Sequence, residues 1–237
     1  MSDSGQKQSL SQSITNDFRA TASLESLRQR ASILSEIRTF FHQRQYWEAE
    51  TPLLSAESVI DWHLEPFSVS MAAHCENQRY LQTSPELAMK RLLAGGADRI
   101  YQICKAFRKE EQGPLHNPEF TILEWYACGL NDHQQMDFTE EMIQHLFLQF
   151  KQSLPGPLLR ITYEQAFHDA LGVSILDLDA QELKGLAQQH GISFATESPD
   201  ETQPGERDLW LNLLLAEKVE PFLKTQHAVF LYNYPAS

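Results

Sequence analysis

The architecture of this chain is indicated most clearly by residues 99–128, which read RIYQICKAFRKEEQGPLHNPEFTILEWYAC. The runs Arg99 to Phe107 and Glu119 to Cys128 are rich in aromatic and β-branched side chains, as β-strands are. The polar loop between them contains Gly113-Pro114 and Asn117-Pro118 and is too long for a tight turn. We therefore predict an antiparallel hairpin whose loop of about ten residues is functional, since long ordered loops between strands usually are.

The hairpin is predicted to present one polar face. Side chains of a strand alternate between its two faces, so residues of equal parity meet one another. On the second strand the odd-numbered side chains are apolar except Thr121, whereas the even face holds Glu124 and Tyr126 among apolar neighbours. On the first strand the positions of even parity are Gln102, Cys104, Ala106, Arg108 and Glu110. If both even faces line one cleft, Arg108 and Glu110 lie at one end of it, and Glu124 and Tyr126 lie deeper.

These residue types suit an anion and a cation. The planar fork of Arg108 can donate two parallel hydrogen bonds to a phosphate, and the ring of Phe120 offers a stacking surface to a purine. A carboxylate beside a tyrosine, as at Glu124 and Tyr126, suits an ammonium group. The ordinary interpretations are a surface ion pair for Arg108 and Glu110, a core position for Phe120 and a surface imidazole for His116. The residues by themselves predict a cleft and do not name a reaction.

Helical and extended segments are predicted before the hairpin. Apolar residues from Leu24 to Phe41 recur at helical spacing. A strand from Arg79 to Thr83 runs into a second helix, in which Ser84 suits the N-cap and Pro85 the first helical position. Gly95-Gly96 is typical of the end of that helix.

The chain is predicted to divide into a tail and one core. Residues 1–20 are polar and without periodicity, so we expect a disordered tail, and residues 21–237 are long enough for one core domain. Within that core, residues 155–227 are predicted to form a mostly helical insert. Its expected helices are Thr162 to Leu171, Ala180 to His190 and a segment around Leu209 to Val219, followed by a β-rich run from Ala228 to Tyr234.

Composition narrows the classes of function. Nineteen basic residues against 32 acidic ones give a formal charge of −13, which disfavours a protein whose main task is to grip a nucleic-acid backbone. Cys75, Cys104 and Cys128 form no CxxC pair, so neither a disulfide framework nor a zinc ribbon is expected. The histidines that could suggest a metal, His63, His74, His116 and His133, lack ligand spacing. No signal peptide and no long apolar run is apparent, so the cytoplasm is the expected location.

Three ordered segments resemble the motifs of class II aminoacyl-tRNA synthetases in their lysyl form. FRKE (107–110), HNPEFT (116–121) and LEWY (123–126) together resemble motif 2. Ala49-Glu50-Thr51-Pro52 resembles the end of motif 1, whose preceding helix supports the dimer interface in that family. Thr83-Ser84-Pro85-Glu86, followed by Lys90-Arg91-Leu92, is similar to the amino-acid-binding segment of the lysyl group. The resemblance implies an α+β fold in which helices flank a class II synthetase-type antiparallel sheet.

Within that group the chain is more similar to the family of elongation factor P (R)-β-lysine ligases. It begins directly at the catalytic helix and leaves no room for the anticodon-binding OB domain of true lysyl-tRNA synthetases. DWHLEPF (61–67) and FLYNYPAS (230–237) resemble segments of that family, D-x-H-L-x-P-F and F-x-Y-x-[FY]-P-A-S. The resemblance covers residues 24–237 and is weakest in the predicted insert.

The resemblance implies roles for the residues that match these motifs. It implies catalytic roles for Arg108 and Glu110. It implies an ATP site formed by Arg108, Lys109, Glu110, His116, Asn117 and Phe120, with Arg108 on the α-phosphate and Phe120 on the adenine. It implies an amino-acid pocket formed by Ser84, Pro85, Glu86, Glu124 and Tyr126, with Glu86 nearest a substrate amino group.

The reaction that the resemblance implies uses ATP as a substrate, together with Mg²⁺. The carboxylate of lysine or (R)-β-lysine attacks the α-phosphorus, pyrophosphate leaves, and the adenylate is handed to a lysine of elongation factor P. A homodimer is implied, and tRNA and membranes are not expected as partners.

In that family the chain continues beyond the Pro-Ala-Ser segment with magnesium ligands, motif 3 and an arginine for the γ-phosphate. We therefore expect no metal ligands in this chain, a sheet that is incomplete at its C-terminal end, and no activity alone if the polypeptide ends at Ser237. A fragment, half of a split gene and a natural truncation all fit this expectation. Two other functions stay open: the catalytic core of a lysyl-tRNA synthetase, and a non-catalytic remnant that dimerises or binds a partner.

Overall fold

The computed structural model describes residues 21–58, 64–70, 78–192 and 206–236. The predicted tail, residues 1–20, lies outside the described residues, as do Asp61, Trp62, His63 and Ser237 of the two family-like segments. The helices are α1 Leu24–Gln43, α2 Glu86–Ala94, α3 Asp132–Gln149, α4 Tyr163–Leu171, α5 Ala180–Gln189, α6 Glu206–Leu214 and α7 Glu220–Leu223, with a π-helical segment, Leu215–Val219, before the last of them. The strands are β1 Trp47–Glu48, β2 Leu54–Ser55, β3 Ser68–Ser70, β4 Gln78–Leu81, β5 Arg99–Phe107, β6 Glu119–Ala127, β7 Leu158–Thr162 and β8 Ala228–Tyr232.

The predicted hairpin is confirmed as β5 and β6. The two strands pair antiparallel over nine residues each, from Arg99 opposite Ala127 to Phe107 opposite Glu119. Strand β1 joins the other edge of β5 and runs parallel to it, so the sheet is antiparallel only at the hairpin. Aromatic and branched side chains favour this pleated arrangement because they pack well across neighbouring strands.

The odd-numbered face of the hairpin packs on α1 and α3. Tyr101 of β5 is fully buried and stacks on Phe41 of α1 at 4.5 Å between ring centroids. The helix α3 is fixed at its start by a capping box, in which the Asn131 side chain accepts from the backbone N–H of Gln134 and the Gln134 side chain accepts from that of Asn131. The two helices and these apolar side chains therefore cover the odd-numbered face of the hairpin, and the even-numbered face is directed to the other side of the sheet.

The even-numbered face meets α2. Met89 of that helix is fully buried against Ile100, and Tyr126 packs on the same cluster. Strand β4 is the middle strand of a small sheet with β2 and β3, and the chain passes from it directly into α2. Helix α2 begins at Glu86, one residue later than predicted, with Pro85 at the N-cap. Ser84 still satisfies the helix start, because its Oγ accepts from the backbone N–H of Glu86 at 3.0 Å.

The segment that follows α3 builds its own core. Helices α4, α5 and α6 and the π-helical segment bury a cluster that includes Phe167, Leu183, Trp210 and Leu214. Two strands, β7 and β8, pair parallel beside it, and the sequence pattern indicated only the second of them. Arg160 of β7 joins this unit to α3 through ion pairs with Asp137 and Glu140 at 2.7 and 2.9 Å.

Candidate active site

The frame of the candidate site is the even face of β5 and β6. The register places Ala106 opposite Phe120, Gln102 opposite Glu124 and Ile100 opposite Tyr126. Phe120, Glu124 and Tyr126 therefore share one face, as the parity of the sequence indicates. Phe120 and Glu124 are four residues apart on one strand, so about 13 Å separates the two ends of the site.

The first end of the site is built around Arg108. Its Cζ lies 5.0 Å from the centroid of the Phe120 ring, which orients the guanidinium over one aromatic face. Its Nε donates to the carbonyl of Thr83 at 3.3 Å and its Nη1 pairs with Glu111 at 2.8 Å. The remaining N–H groups of the fork are available for an anion, since an arginine carries five donors.

The carboxylate that pairs with Arg108 is that of Glu111, so the surface pair of Arg108 with Glu110, the ordinary interpretation of the sequence, is not the pair that forms. Strand β5 ends at Phe107, and Lys109 and Glu110 form a turn, so the alternation of a strand does not extend to Glu110. The turn exposes Glu110 and brings Glu111, three residues after Arg108, to the guanidinium.

Lys109 is directed toward Glu65. Its ammonium forms an ion pair with the Glu65 carboxylate, and its backbone N–H donates to the Glu65 carbonyl at 3.0 Å. The hydrogen bond from Lys109 is the main cause that lowers the pKa of Glu65, and the same bond raises the pKa of Lys109. The pair ties the turn after β5 to the segment that precedes β3.

The two loop residues assigned to the nucleotide, His116 and Asn117, lie in the loop between β5 and β6. His116 forms an antiparallel bridge with Gly113, in which the glycine N–H donates to the His116 carbonyl at 3.1 Å. Both His116 and Asn117 are exposed. The bridge gives the loop a defined tip, and among the described residues the Arg108 side chain contacts Thr83, Glu111 and Phe120.

The second end of the site is a hydrogen-bonded carboxylate. Ser84 Oγ donates to Glu124 Oε1 at 2.5 Å and the Tyr126 hydroxyl donates to Glu124 Oε2 at 3.2 Å. Burial, followed by the nearby carboxylates of Glu124 and Glu86, raises the pKa of Tyr126 above its ordinary value of 10.0. Each carboxylate oxygen keeps a free lone pair, so this group can accept further bonds from a cation.

Glu86 lies in the first turn of α2 and is engaged by a neighbour. Its carboxylate pairs with Lys90 one helical turn later, at 2.5 Å. Both side chains are largely exposed, so this pair adds little stability and can be displaced by another cation. Pro85 shapes the start of the helix and contributes no side-chain hydrogen bond.

Two further residues contact Arg108 and were not among the predicted site residues. Thr83 holds Arg108 through its backbone carbonyl, a contact that no side-chain pattern can reveal. Glu111 faces Arg108 because of the turn. In the sequence, only its position three residues after the arginine could have indicated this ion pair.

Among the described residues, no three His, Cys, Asp or Glu side chains come together as a metal site. His63, His74 and Cys75 lie outside the described residues.

Comparison with known proteins identifies the class. Residues 6–237 match the family model of class II tRNA synthetases for aspartate, lysine and asparagine (D, K and N). The chain belongs to this class II tRNA synthetase family.

The curated relatives of the chain carry a more specific name than the family model. A protein of Vibrio campbellii, named elongation factor P (R)-β-lysine ligase, is 44% identical over 223 residues, which are 93% of this chain and 66% of that protein. Proteins of the same name from Pseudoalteromonas translucida and Salmonella arizonae are 44% and 37% identical, over 94% of this chain and 66% of their own length. The chain spans 66% of the length of these relatives.

No helix in the described part of the chain combines the length and the apolar character that a membrane span requires.

Proposed function

We propose that this chain is the ATP- and lysine-binding part of a ligase that activates lysine or (R)-β-lysine as an adenylate and transfers it to a lysine of elongation factor P. The observation that carries the proposal is the Glu124 carboxylate, bonded by Ser84 and Tyr126 on the same sheet face as Arg108 and Phe120. The names of the relatives support the choice of acceptor.

The proposed binding roles follow from charge and shape. Arg108, oriented by Thr83 and Glu111, uses its free N–H groups on the α-phosphate, and Phe120 supports the adenine. Glu124 and the Tyr126 hydroxyl accept hydrogen bonds from one ammonium group of the amino acid. Glu86, in the first turn of α2, accepts hydrogen bonds from its second amino group. Lys109, Glu110, His116 and Asn117 belong to the segment that completes the nucleotide side.

The proposed chemistry consists of two displacements. A carboxylate oxygen of the amino acid attacks the α-phosphorus of ATP, the bond to the bridging oxygen breaks, and pyrophosphate leaves. The neutral amine of the acceptor lysine then attacks the activated carbonyl, AMP leaves, and the amine loses its proton as the amide forms. Both steps depend on positioning and charge neutralisation, so the protein supplies cations and hydrogen bonds and no nucleophile.

The two other candidates from the sequence make different predictions. A lysyl-tRNA synthetase core prefers α-lysine to (R)-β-lysine, and a formal charge of −13 disfavours a tRNA partner. A dimerising remnant binds neither ATP nor lysine. Its support is the first part of α1, whose residues 24–33 are all exposed. We propose a homodimer for the ligase as well, so dimerisation alone does not separate the two.

Calorimetric titration tests the proposal without requiring turnover. We expect the chain to bind ATP in the presence of Mg²⁺, and to bind (R)-β-lysine more tightly than α-lysine. Glu124→Gln removes the charge that accepts the ammonium and should weaken lysine binding about 10- to 100-fold, since hydrogen bonds to charged groups contribute about 1.5–3 kcal/mol. Arg108→Ala should instead weaken ATP binding about tenfold or more on the same basis.

The matched control is Glu119→Gln. Glu119 lies on the same strand as Glu124 but pairs with Lys105 on the surface, with both side chains about half exposed, so the same change there should leave both affinities unchanged. Failure of the unsubstituted chain to bind either ligand contradicts the proposal and favours the remnant. A clear preference for α-lysine favours the synthetase core.

A further inference from the structure

Buried polar residues concentrate on one side of β5. In the described part of the chain, five polar or charged residues are buried: Thr51, Gln82, Thr83, Gln102 and Glu206. The first four lie on β5 or on the segments beside it, and Glu206 belongs to the separate helical unit. Burying polar groups is unfavourable unless each is hydrogen-bonded, and apolar residues could fill the same space. A concentration of this kind therefore indicates a role beyond packing.

Gln102 is the centre of this group. It is 2% exposed, and its Oε1 accepts from the hydroxyl of Thr51, which is 8% exposed, at 3.1 Å. Thr51 reaches this position because the segment after β1 follows β5, where Ala49 donates its N–H to the Tyr101 carbonyl at 2.7 Å. The hydrogen bond fixes the amide, since an oxygen held by Thr51 turns the nitrogen to the other side.

Cys104 lies two residues after Gln102, on the same face of β5. The thiol of Cys104 receives a hydrogen bond from the amide of Gln82, whose Nε2 lies 3.2 Å from the sulfur. The same Gln82 nitrogen donates to the Lys105 carbonyl at 2.8 Å. Burial, as the main cause, raises the pKa of Cys104, so this layer is composed of neutral groups.

Gln102 is also the direct cross-strand neighbour of Glu124. The two residues are paired in the register of β5 and β6 and have the same parity, so their Cβ atoms lie about 5 Å apart on one face. We propose that Gln102 is a positioning residue: its amide, locked by Thr51 and packed beside Glu124, holds that carboxylate in the orientation that meets Ser84, Tyr126 and the ammonium of the amino acid. This inference rests on the proposed lysine-binding role of Glu124.

The physical basis is rigidity without competing charge. A buried amide whose oxygen is held by a hydrogen bond has lost rotamer freedom, and it gives the Glu124 carboxylate a fixed, neutral neighbour. A flexible apolar side chain of similar volume keeps the packing but not the orientation. The effect is therefore expected on lysine binding and not on ATP binding, because Arg108 is held by Thr83 and Glu111 instead.

Two variants test the inference by calorimetric titration at a temperature well below unfolding. Gln102→Met removes the amide at nearly constant volume, and Thr51→Val removes only the hydroxyl that locks it. We expect Gln102→Met to weaken binding of (R)-β-lysine about tenfold, a loss typical of one buried hydrogen bond, and to leave ATP binding within about twofold. Thr51→Val should give a smaller loss in the same direction, with no further loss when added to Gln102→Met.

The matched control is Gln135→Met. Gln135 accepts from the indole N–H of Trp125 at 3.0 Å on the opposite face of the same hairpin, so this change should lower stability without affecting either ligand. Equal lysine affinity in Gln102→Met and the unsubstituted chain overturns the inference, as does an equal loss for both ligands. If Gln102→Met does not fold, the lysine affinity of Thr51→Val tests the inference by itself, and an affinity equal to that of the unsubstituted chain overturns it. Absence of lysine binding in the unsubstituted chain contradicts the proposed function instead.

Discussion

At the scale of single residues, Tyr126 joins the chemistry of the candidate site to the stability of the fold. Its hydroxyl donates to Glu124 while its ring packs on the cluster of Met89 and Ile100. Burial and the adjacent carboxylates raise its pKa, because a phenolate in this place would be poorly solvated and repelled. The same tyrosine therefore contributes a hydrogen bond to the site and a pH dependence to the whole chain.

We predict that Tyr126→Phe flattens the alkaline limb of the stability profile. Above about pH 10 the unfolded chain releases the phenolic proton and the folded chain retains it, so the unfolded state binds fewer protons. The contribution of Tyr126 is therefore fully present below pH 10 and is lost as the pH rises toward the higher folded pKa. Above pH 10 the free energy of unfolding should therefore fall less steeply with pH in Tyr126→Phe than in the unsubstituted chain. The difference in slope should be at most about 1.4 kcal/mol per pH unit, as measured by urea unfolding at several pH values.

Tyr163→Phe separates the two roles of such a tyrosine. Burial raises the pKa of Tyr163 to about 12 in the core of the helical unit. This variant should also flatten the alkaline limb, but it should leave the affinity for (R)-β-lysine unchanged, whereas Tyr126→Phe should weaken it. An unchanged alkaline limb in both variants is the result that contradicts the assignment.

Residue pairings were predictable only as far as a regular element extends. The parity of Phe120, Glu124 and Tyr126 is confirmed by the register because all three lie inside β6. The parity assigned to Arg108 and Glu110 does not extend past Phe107, where β5 ends, and the following turn brings Glu111 to the Arg108 guanidinium. Contacts made by backbone carbonyls, such as that of Thr83, leave no trace in the side-chain pattern.

At the scale of elements, the ends of helices follow local chemistry. Helix α4 begins after Thr162, whose side chain accepts from the backbone N–H of Gln165, and it ends at Gly172. Gly172 adopts a φ of 74°, a left-handed conformation that other residues adopt only at a cost. Both ends agree with the sequence because caps depend on neighbours within a few residues.

Two glycine substitutions should have opposite effects on stability. Gly172→Ala should destabilise the chain by about 1 kcal/mol, because an alanine is strained in the left-handed region. Gly185→Ala should stabilise it by about 0.5–1 kcal/mol, because alanine is the better helix former in the interior of α5. A methyl group at either position meets open space, so packing does not obscure the comparison.

The measurement is urea unfolding of the full chain followed by circular dichroism. Each variant serves as the control for the other, because both add one methyl group to the same helical unit. Equal shifts of the unfolding midpoint in the two variants would show that backbone conformation is not the cause.

Strand β7 shows where prediction from sequence ends for elements. Strands β5 and β6 were indicated because two long runs are joined by one loop and pair locally. The partner of β7 is β8, which begins more than sixty residues later and pairs parallel. Five residues with one arginine, Leu158–Thr162, carry too little pattern of their own, since parallel strands become visible only through their distant partner.

At the scale of the whole molecule, the longest helix of the described chain, α1, leaves apolar side chains exposed. The first half of α1 extends beyond the apolar layer on the odd face of the hairpin, and Leu24 and Leu27 are 70% and 43% exposed. In this half, Arg30 donates to the Thr121 hydroxyl at 2.7 Å, which gives a partner to the polar residue on an otherwise apolar strand face. Exposed apolar side chains on a well-formed helix favour burial by a partner.

We predict that the chain is a dimer in solution through this part of α1. Leu24→Glu combined with Leu27→Glu places two carboxylates where apolar side chains would be buried, and charges are unfavourable in the core of an interface. Sedimentation velocity should give twice the mass of one chain for the unsubstituted protein and the mass of one chain for the double variant.

Leu148→Glu is the matched control, because Leu148 is an equally exposed leucine, at 73%, near the end of α3. This change adds one carboxylate to the surface, where the double variant adds two, and it should leave the dimer intact. A shift to monomer in both variants would point to charge and not to the site. A monomeric unsubstituted chain contradicts the prediction directly. Arg30 links the same half of α1 to β6, the strand that carries Glu124, so loss of the dimer should also affect the lysine site. The double variant should therefore bind (R)-β-lysine more weakly than Leu148→Glu does.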